Sequence, residues 1–176
     1  MNNFAVGLFN IYTKFIMWIP FHFIRLIHLK VFLGHLGECV SISRNVDLRN
    51  MKHIYIGNHT IINSGCILDA RGGNLSIGNN VDIAQDTFIW TLQHDYNDDS
   101  HRGKGANIDI EDYVWIGARS NILPGVLIAK GAVIGTCSVV TKKVEAGSVV
   151  VGVPAKKVAE RRNSYTYTLN HRMWFD

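Results

Sequence analysis

The chain has 176 residues, of which 47% are hydrophobic and 18% charged, with a formal net charge of +4. This composition fits one folded domain with short flanking segments and excludes a disordered chain. So mild a positive balance suits a phosphate-bearing ligand or an acidic surface. With no RNP, zinc-finger or basic-helix pattern present, nucleic-acid binding is set aside.

Residues 1–40 read as an N-terminal apolar helical segment. The stretch FNIYTKFIMWIPFHFIRLIHLKVFLG is interrupted by Lys14, Pro20, His22, Arg25, His28 and Lys30, so no uncharged run reaches the ~18–20 residues that span a bilayer. No basic region precedes it and no A-x-A-like site follows it, which argues against a secretory signal and for a cytoplasmic protein. Phe23, Leu26, Ile27, Lys30 and Val31 follow a helical spacing, and Pro20 suits the first turn of such a helix. The expectation is a helix packed on the main body or on a neighbouring subunit. The alternative is peripheral contact with the inner face of a membrane, because Lys14, Arg25 and Lys30 flank Trp and Phe residues. Cys39, Cys66 and Cys137 are odd in number and far apart, as in reduced thiols, and suggest neither a disulfide framework nor a zinc site.

From residue 54 the chain repeats every six residues. Ile56, Ile62, Leu68, Ile77, Ile83, Ile89, Ile110, Ile116, Ile122, Ile128, Ile134 and Val140 occupy equivalent positions, although Ile, Leu and Val make up only roughly a quarter of the chain. Two residues before each stands a second apolar or small side chain, from Ile54, Thr60 and Cys66 through to Ser138. Positions i−2 and i share one face of an extended strand. Gly and Asn between the pairs accept the positive φ of sharp corners. A helix cannot meet this pattern, whereas short strands joined by corners stack into an all-β solenoid.

Three six-residue sides make a coil, and residues 54–71, 75–92, 108–125 and 126–143 each fill one. The solenoid is placed over residues 41–160, with a C-terminal tail over 161–176. Gly72-Gly73-Asn74 is an insertion at one corner, and the loop 93–107 is an insertion at the same corner one coil further along. A loop leaving a rigid scaffold at a fixed vertex is where functional side chains collect. His94 leaves the scaffold at its root, and histidine is the usual base near neutral pH. Stacking puts Asp69 beneath residue 90, and so near His94.

The string VWIGARSNILPGVLIAKGAVIGTCSVVTKKVEAGSVVVGVPAKKV, residues 114–158, resembles the hexapeptide-repeat acyltransferases. More narrowly, it is similar to the sugar and polysaccharide O-acetyltransferase branch that contains the maltose, galactoside and capsule or colanic-acid enzymes. The resemblance covers roughly residues 40–160. It implies a left-handed parallel β-helix, a homotrimer with active sites between subunits, acetyl-CoA as acyl donor, no required metal, and a sugar or glycan acceptor. It implies His94 as general base, and Trp115, Ala118, Thr136, Thr141 and Lys142 along the coenzyme groove. Lys156 would stand near the coenzyme phosphates, and Asp69 and, more weakly, Asn63 would contact the acceptor. Val153 and Leu123 depart from the asparagines the family often has at these places. Two alternatives stand beside this reading. One is a zinc enzyme like the γ-class carbonic anhydrases, which would draw on His59, His94 and His101. The other is a non-catalytic structural β-helix.

Overall fold

Two helices precede the first strand. In the computed structural model, which describes residues 3–162 and 164–171, α1 (Asn3–Trp18) and α2 (His22–Phe32) are separated by Ile19-Pro20-Phe21. The sequence reading held a single helix after Pro20. Of the surfaces expected to receive the Phe23, Leu26, Ile27, Lys30, Val31 face, the chain's own body is not the one, since Phe23, Ile27, Lys30 and Val31 are exposed. The buried side of α2 is His22, Arg25, His28 and Leu29. The reason is backbone demand at the lower edge of the solenoid, where polar groups need partners. The Ile42 N–H donates to Nε2 of His22 at 3.2 Å, and the Arg25 guanidinium donates to the Ile42 carbonyl at 3.2 Å and also to the Ile19 carbonyl.

The solenoid begins at His35, earlier than the repeat legible from residue 54. Its first coil is β1 (His35–Leu36), β2 (Ser41–Ile42) and β3 (Asp47–Arg49). A 3₁₀ turn, Met51–His53, leads into the second coil: β4 (Ile54–Ile56), β5 (Ile61–Ile62) and β6 (Ile67–Asp69). The third is β7 (Leu75–Ile77), β8 (Asp82–Ile83) and β9 (Phe88–Trp90). The chain then leaves the stack as a hairpin, β10 (Leu92–His94) and β11 (Gly103–Gly105). It returns as β12 (Ile108–Ile110), β13 (Trp115–Ile116) and β14 (Asn121–Ile122). The fifth coil is β15 (Leu127–Ile128), β16 (Val133–Ile134) and β17 (Val139–Val140). β18 (Ser148–Val151) opens a further turn, and β19 (Lys156–Glu160) folds back on it antiparallel.

Three parallel sheets result: β1-β4-β7-β12-β15, β2-β5-β8-β13-β16-β18 and β3-β6-β9-β14-β17. Like residues stack in register, as in Ile56, Ile77, Ile110 and Ile128. All twelve repeat positions read from the sequence are at most 3% exposed, and their i−2 partners at most 2%. Each buried isoleucine side chain contributes roughly 1.5–3 kcal/mol of hydrophobic stabilisation. The small inward residues close their own hydrogen bonds. Thr60 Oγ1 donates to the Gly78 carbonyl at 2.8 Å, Ser120 Oγ to that of Gly117 at 2.8 Å, and Cys66 Sγ to that of Ala84 at 3.2 Å. Burial pushes the Cys66 thiol up to about 11, so it remains a neutral packing group.

The tail crosses the coils along the vertex between the first and second sheets. Nη1 of Arg161 donates to the Tyr113 carbonyl at 2.7 Å, and Tyr165 stands where a Cβ on Gly131 would lie, 2.3 Å from its ring. Further down, the Leu169 N–H donates to Oδ1 of Asn80 at 2.9 Å, and its carbonyl lies 3.2 Å from Nδ1 of His59.

Candidate active site

Insertions break the eighteen-residue rhythm three times, always where the third sheet passes into the first: near residues 50–53, at 72–74 and at 91–107. The last and longest is not a loop without order. β10 and β11 pair antiparallel, with His94 opposite Gly103. Its root is locked by close backbone packing. A Cβ on Gly105 would lie 2.1 Å from the Gly72 carbonyl oxygen, and one on Gly72 would lie 2.3 Å from that of Thr91. Only glycine permits this approach, and the Gly72 N–H then donates to Oγ1 of Thr91 at 3.0 Å.

His94 is exposed at the end of β10. Its Nδ1 lies 2.7 Å from the His101 carbonyl oxygen, and its ring stacks on that of His101 at 3.9 Å with 7° between planes. A carbonyl can only accept, so Nδ1 carries the proton and the neutral ring keeps its lone pair on Nε2. His101 reaches this place with a φ of 52°. Asp95 does not orient the imidazole. Its carboxylate takes the Asn97 N–H at 3.0 Å and lies 3.9 Å from Lys104 Nζ.

Asp69 is one coil below, paired in register with Trp90, and is fully buried. Its carboxylate is held by Arg71, at 2.6 Å from Nη2 and 2.9 Å from Nε, with Nη1 of Arg49 at 3.6 Å. The group that this vertex presents to solvent is therefore the half-exposed guanidinium of Arg71, which sequence reasoning missed. The signal was an Arg two residues from an inward-turning Asp. The carboxylate holds the Arg71 guanidinium above its ordinary value, so its charge is permanent. Beside it, between α1 and the first coil, opens a groove of about 680 Å³ lined by Phe9, Leu48, Arg49, Met51, Lys52 and Arg71 among others.

The other sequence-picked residues divide between two vertices. Thr141 and Lys142 follow β17 and stand at the vertex of the hairpin. Asn63, Ala118, Thr136 and Lys156 form a column at the vertex between the second and third sheets, with Trp115 half-exposed on the second sheet leading into it. The column is tied coil to coil. The Asn63 N–H donates to the Ile83 carbonyl at 3.0 Å, that of Gly117 to Ile134 at 2.8 Å, and that of Cys137 to Ala118 at 2.9 Å. Asn63 also donates from Nδ2 to the Ile83 carbonyl at 2.9 Å and to Asp82 at 3.3 Å. Desolvation raises the Asp82 carboxyl, while the Asn63 amide opposes that shift. Lys156 pairs with Val151 at the top. One side of a coil, roughly 20 Å for six extended residues, thus separates His94 from Trp115, Ala118 and Thr136 within one chain.

His59, the third histidine of the zinc alternative, stands at the remaining vertex against the tail. Among the described residues no group of three or more His, Cys, Asp or Glu side chains is placed to hold a metal ion.

Comparison with known proteins agrees with this architecture. The model of the bacterial transferase hexapeptide (six repeats) matches residues 107–142. A candidate acetyltransferase of Staphylococcus aureus strain COL is 36% identical over 136 residues, covering 74% of this chain and 67% of that protein. A hexapeptide-repeat-containing acetyltransferase of Vibrio cholerae superposes with a TM-score of 0.83 at 29% identity, over 90% of this chain and 92% of its own. It has also been solved with acetyl-CoA. A maltose O-acetyltransferase of Clostridium difficile gives a TM-score of 0.83 at 26% identity, over 92% and 90%. The chain belongs to the hexapeptide-repeat acetyltransferase family, and its solenoid is the left-handed β-helix of that family. It spans 55% of the length of a curated relative from Schizosaccharomyces pombe, to which it is 34% identical over 115 residues.

Proposed function

We propose that this protein is an acetyl-CoA-dependent O-acetyltransferase acting on a hydroxyl of a sugar or polysaccharide precursor, with His94 as general base. The observation that carries the reading is the imidazole itself. It stands exposed on a hairpin pinned to a rigid vertex, its Nδ1–H given to a backbone carbonyl and its Nε2 free to take a proton. In the reaction Nε2 removes the acceptor hydroxyl proton as the oxygen attacks the thioester carbonyl. The tetrahedral intermediate then collapses, the C–S bond breaks, and the imidazolium returns the proton to the departing thiolate. Both substrates are held at once, and no acyl-enzyme forms.

Coenzyme A lies along the column of Trp115, Ala118 and Thr136, with Lys156 beside its phosphates. Likeness to a protein solved with acetyl-CoA supports this placement. The maltose O-acetyltransferase neighbour supports a sugar acceptor. Asp69 acts through Arg71, fixing a guanidinium that hydrogen-bonds acceptor oxygens, and Asn63 lies lower in the donor column. Because His94 and the donor column occupy different vertices, a complete site takes the base from one chain and the column from its neighbour. This supports a homotrimer.

Calorimetric titration of acetyl-CoA into metal-stripped protein tests the reading. Saturable binding near one site per chain is the expected result. Absence of binding at millimolar ligand refutes it.

A further inference from the structure

The apolar side chains that α1 and α2 leave uncovered are patterned. On α1, Leu8, Ile11, Tyr12, Phe15 and Trp18 form one stripe at helical spacing and are 47–67% exposed. They lie away from the side that buries Thr13 and Met17. On α2 the stripe is Phe23, Ile27 and Val31, at 60–69%, away from buried Arg25 and Leu29. The link between the helices is apolar too. Residues 15–21 read FIMWIPF, and Pro20 and Phe21 are exposed. A turn facing water is ordinarily built from Gly, Asn, Asp or Ser.

Charge on the two helices themselves has one sign. Residues 1–37 contain no Asp or Glu, and exposed Lys14 and Lys30 each border a stripe. We infer that the α1–α2 hairpin docks in the plane of an anionic phospholipid surface, its stripes and Trp18-Pro20-Phe21 tip in the acyl boundary and Lys14 and Lys30 on the headgroup phosphates. Spanning is excluded for these helices, because none among the described residues is long and apolar enough to cross a membrane. The lysine rim and the lack of any acid select a lipid surface over a second copy of this chain, whose matching face would carry the same positive charge.

The test is co-sedimentation of the full chain with vesicles of phosphatidylglycerol and phosphatidylcholine, and with phosphatidylcholine alone. Wild type is expected to sediment with the anionic vesicles and to be released as salt rises. The pair Phe15→Ser, Ile27→Ser is expected to weaken partition at least ~10-fold, since two apolar side chains leave the interface. The pair Lys14→Gln, Lys30→Gln is expected to weaken it on anionic vesicles only. Circular dichroism and acetyl-CoA titration of the same variants report the fold and the acetyl-transfer site, so failure of either is distinguishable. Sedimentation of the serine variant equal to wild type overturns the proposal. So does a wild type that ignores both vesicles, including the case in which the serine variant elutes at a smaller mass and the face joins copies of this chain.

Discussion

The two nitrogens of His94 are told apart by one carbonyl, that of His101, and the same contact fixes the ring's direction. Replacing His94 by Ala is expected to lower turnover at least ~100-fold, the usual worth of a general base, with acetyl-CoA affinity unchanged in the calorimeter. Wild-type turnover in that variant would remove His94 from the mechanism. The exposed place of His94 was legible from the root of an insertion. Its orienting group was not, because a backbone carbonyl seven residues on leaves no mark in side-chain identity. Asp69 was legible as a neighbour by coil counting. Its capture by Arg71 depended on side-chain directions that counting does not give.

His28 makes a second residue-scale prediction. Its ring is buried against Tyr12 and Phe32, neither ring nitrogen has a hydrogen-bond partner, and desolvation lowers its pKa from the ordinary value of about 6.5. The folded chain therefore binds fewer protons at His28 than the unfolded chain does. The stability this site contributes is present above pH 6.5 and is lost as pH falls below it, by at most about 1.4 kcal/mol per unit. Denaturant midpoints measured from pH 7.5 down to pH 5 are expected to fall more steeply for wild type than for His28→Leu. Parallel slopes would exclude the effect.

The hairpin β10–β11 is the element on which the proposed site depends, and its strand Gly103–Gly105 is Gly-Lys-Gly, against every strand preference. Pairing there is imposed by the scaffold, which is why those residues read as a loop. Of the first coil only β1 fell outside the solenoid placed over residues 41–160, and the coil's repeat was masked for a related reason. Leu36, Ile42 and Leu48 keep the six-residue step, but the step from Leu48 to Ile56 is lengthened by the 3₁₀ turn at Met51–His53. Residues 1–40 read as an apolar helical segment, but α1 was not told apart from α2, because its apolar stripe faces away from any core. Gly105→Ala is expected to push the hairpin off Gly72 at a cost of about 1–3 kcal/mol. Thermal unfolding measures that cost, and a kcat loss with unchanged acetyl-CoA affinity would report the displaced base. An unaltered kcat would mean that the hairpin's seating does not govern His94.

In the whole molecule each vertex has its own occupant: the tail, the column proposed for the acyl donor, and the hairpin that carries His94. If the column of one chain is completed by the hairpin of another, two inactive variants rescue one another. His94→Ala spoils the base, and Ala118→Trp fills the column. Refolded together in equal amounts, they are expected to recover about a quarter of wild-type activity, the fraction of interfaces that join an intact hairpin to an intact column. No recovery from mixed oligomers would place the whole site within one chain.

A stack of parallel strands has no inherent reason to stop, since each end offers a row of backbone groups to the next coil or the next molecule. Here the lower row is met by His22 and Arg25 on Ile42, and the upper one by β19 running in reverse. The helices thus close the lower edge of the second sheet against linear polymerisation. Arg25→Met should leave the catalytic vertices intact while opening the lower edge, and light scattering would then record concentration-dependent fibres where the parent protein stays discrete.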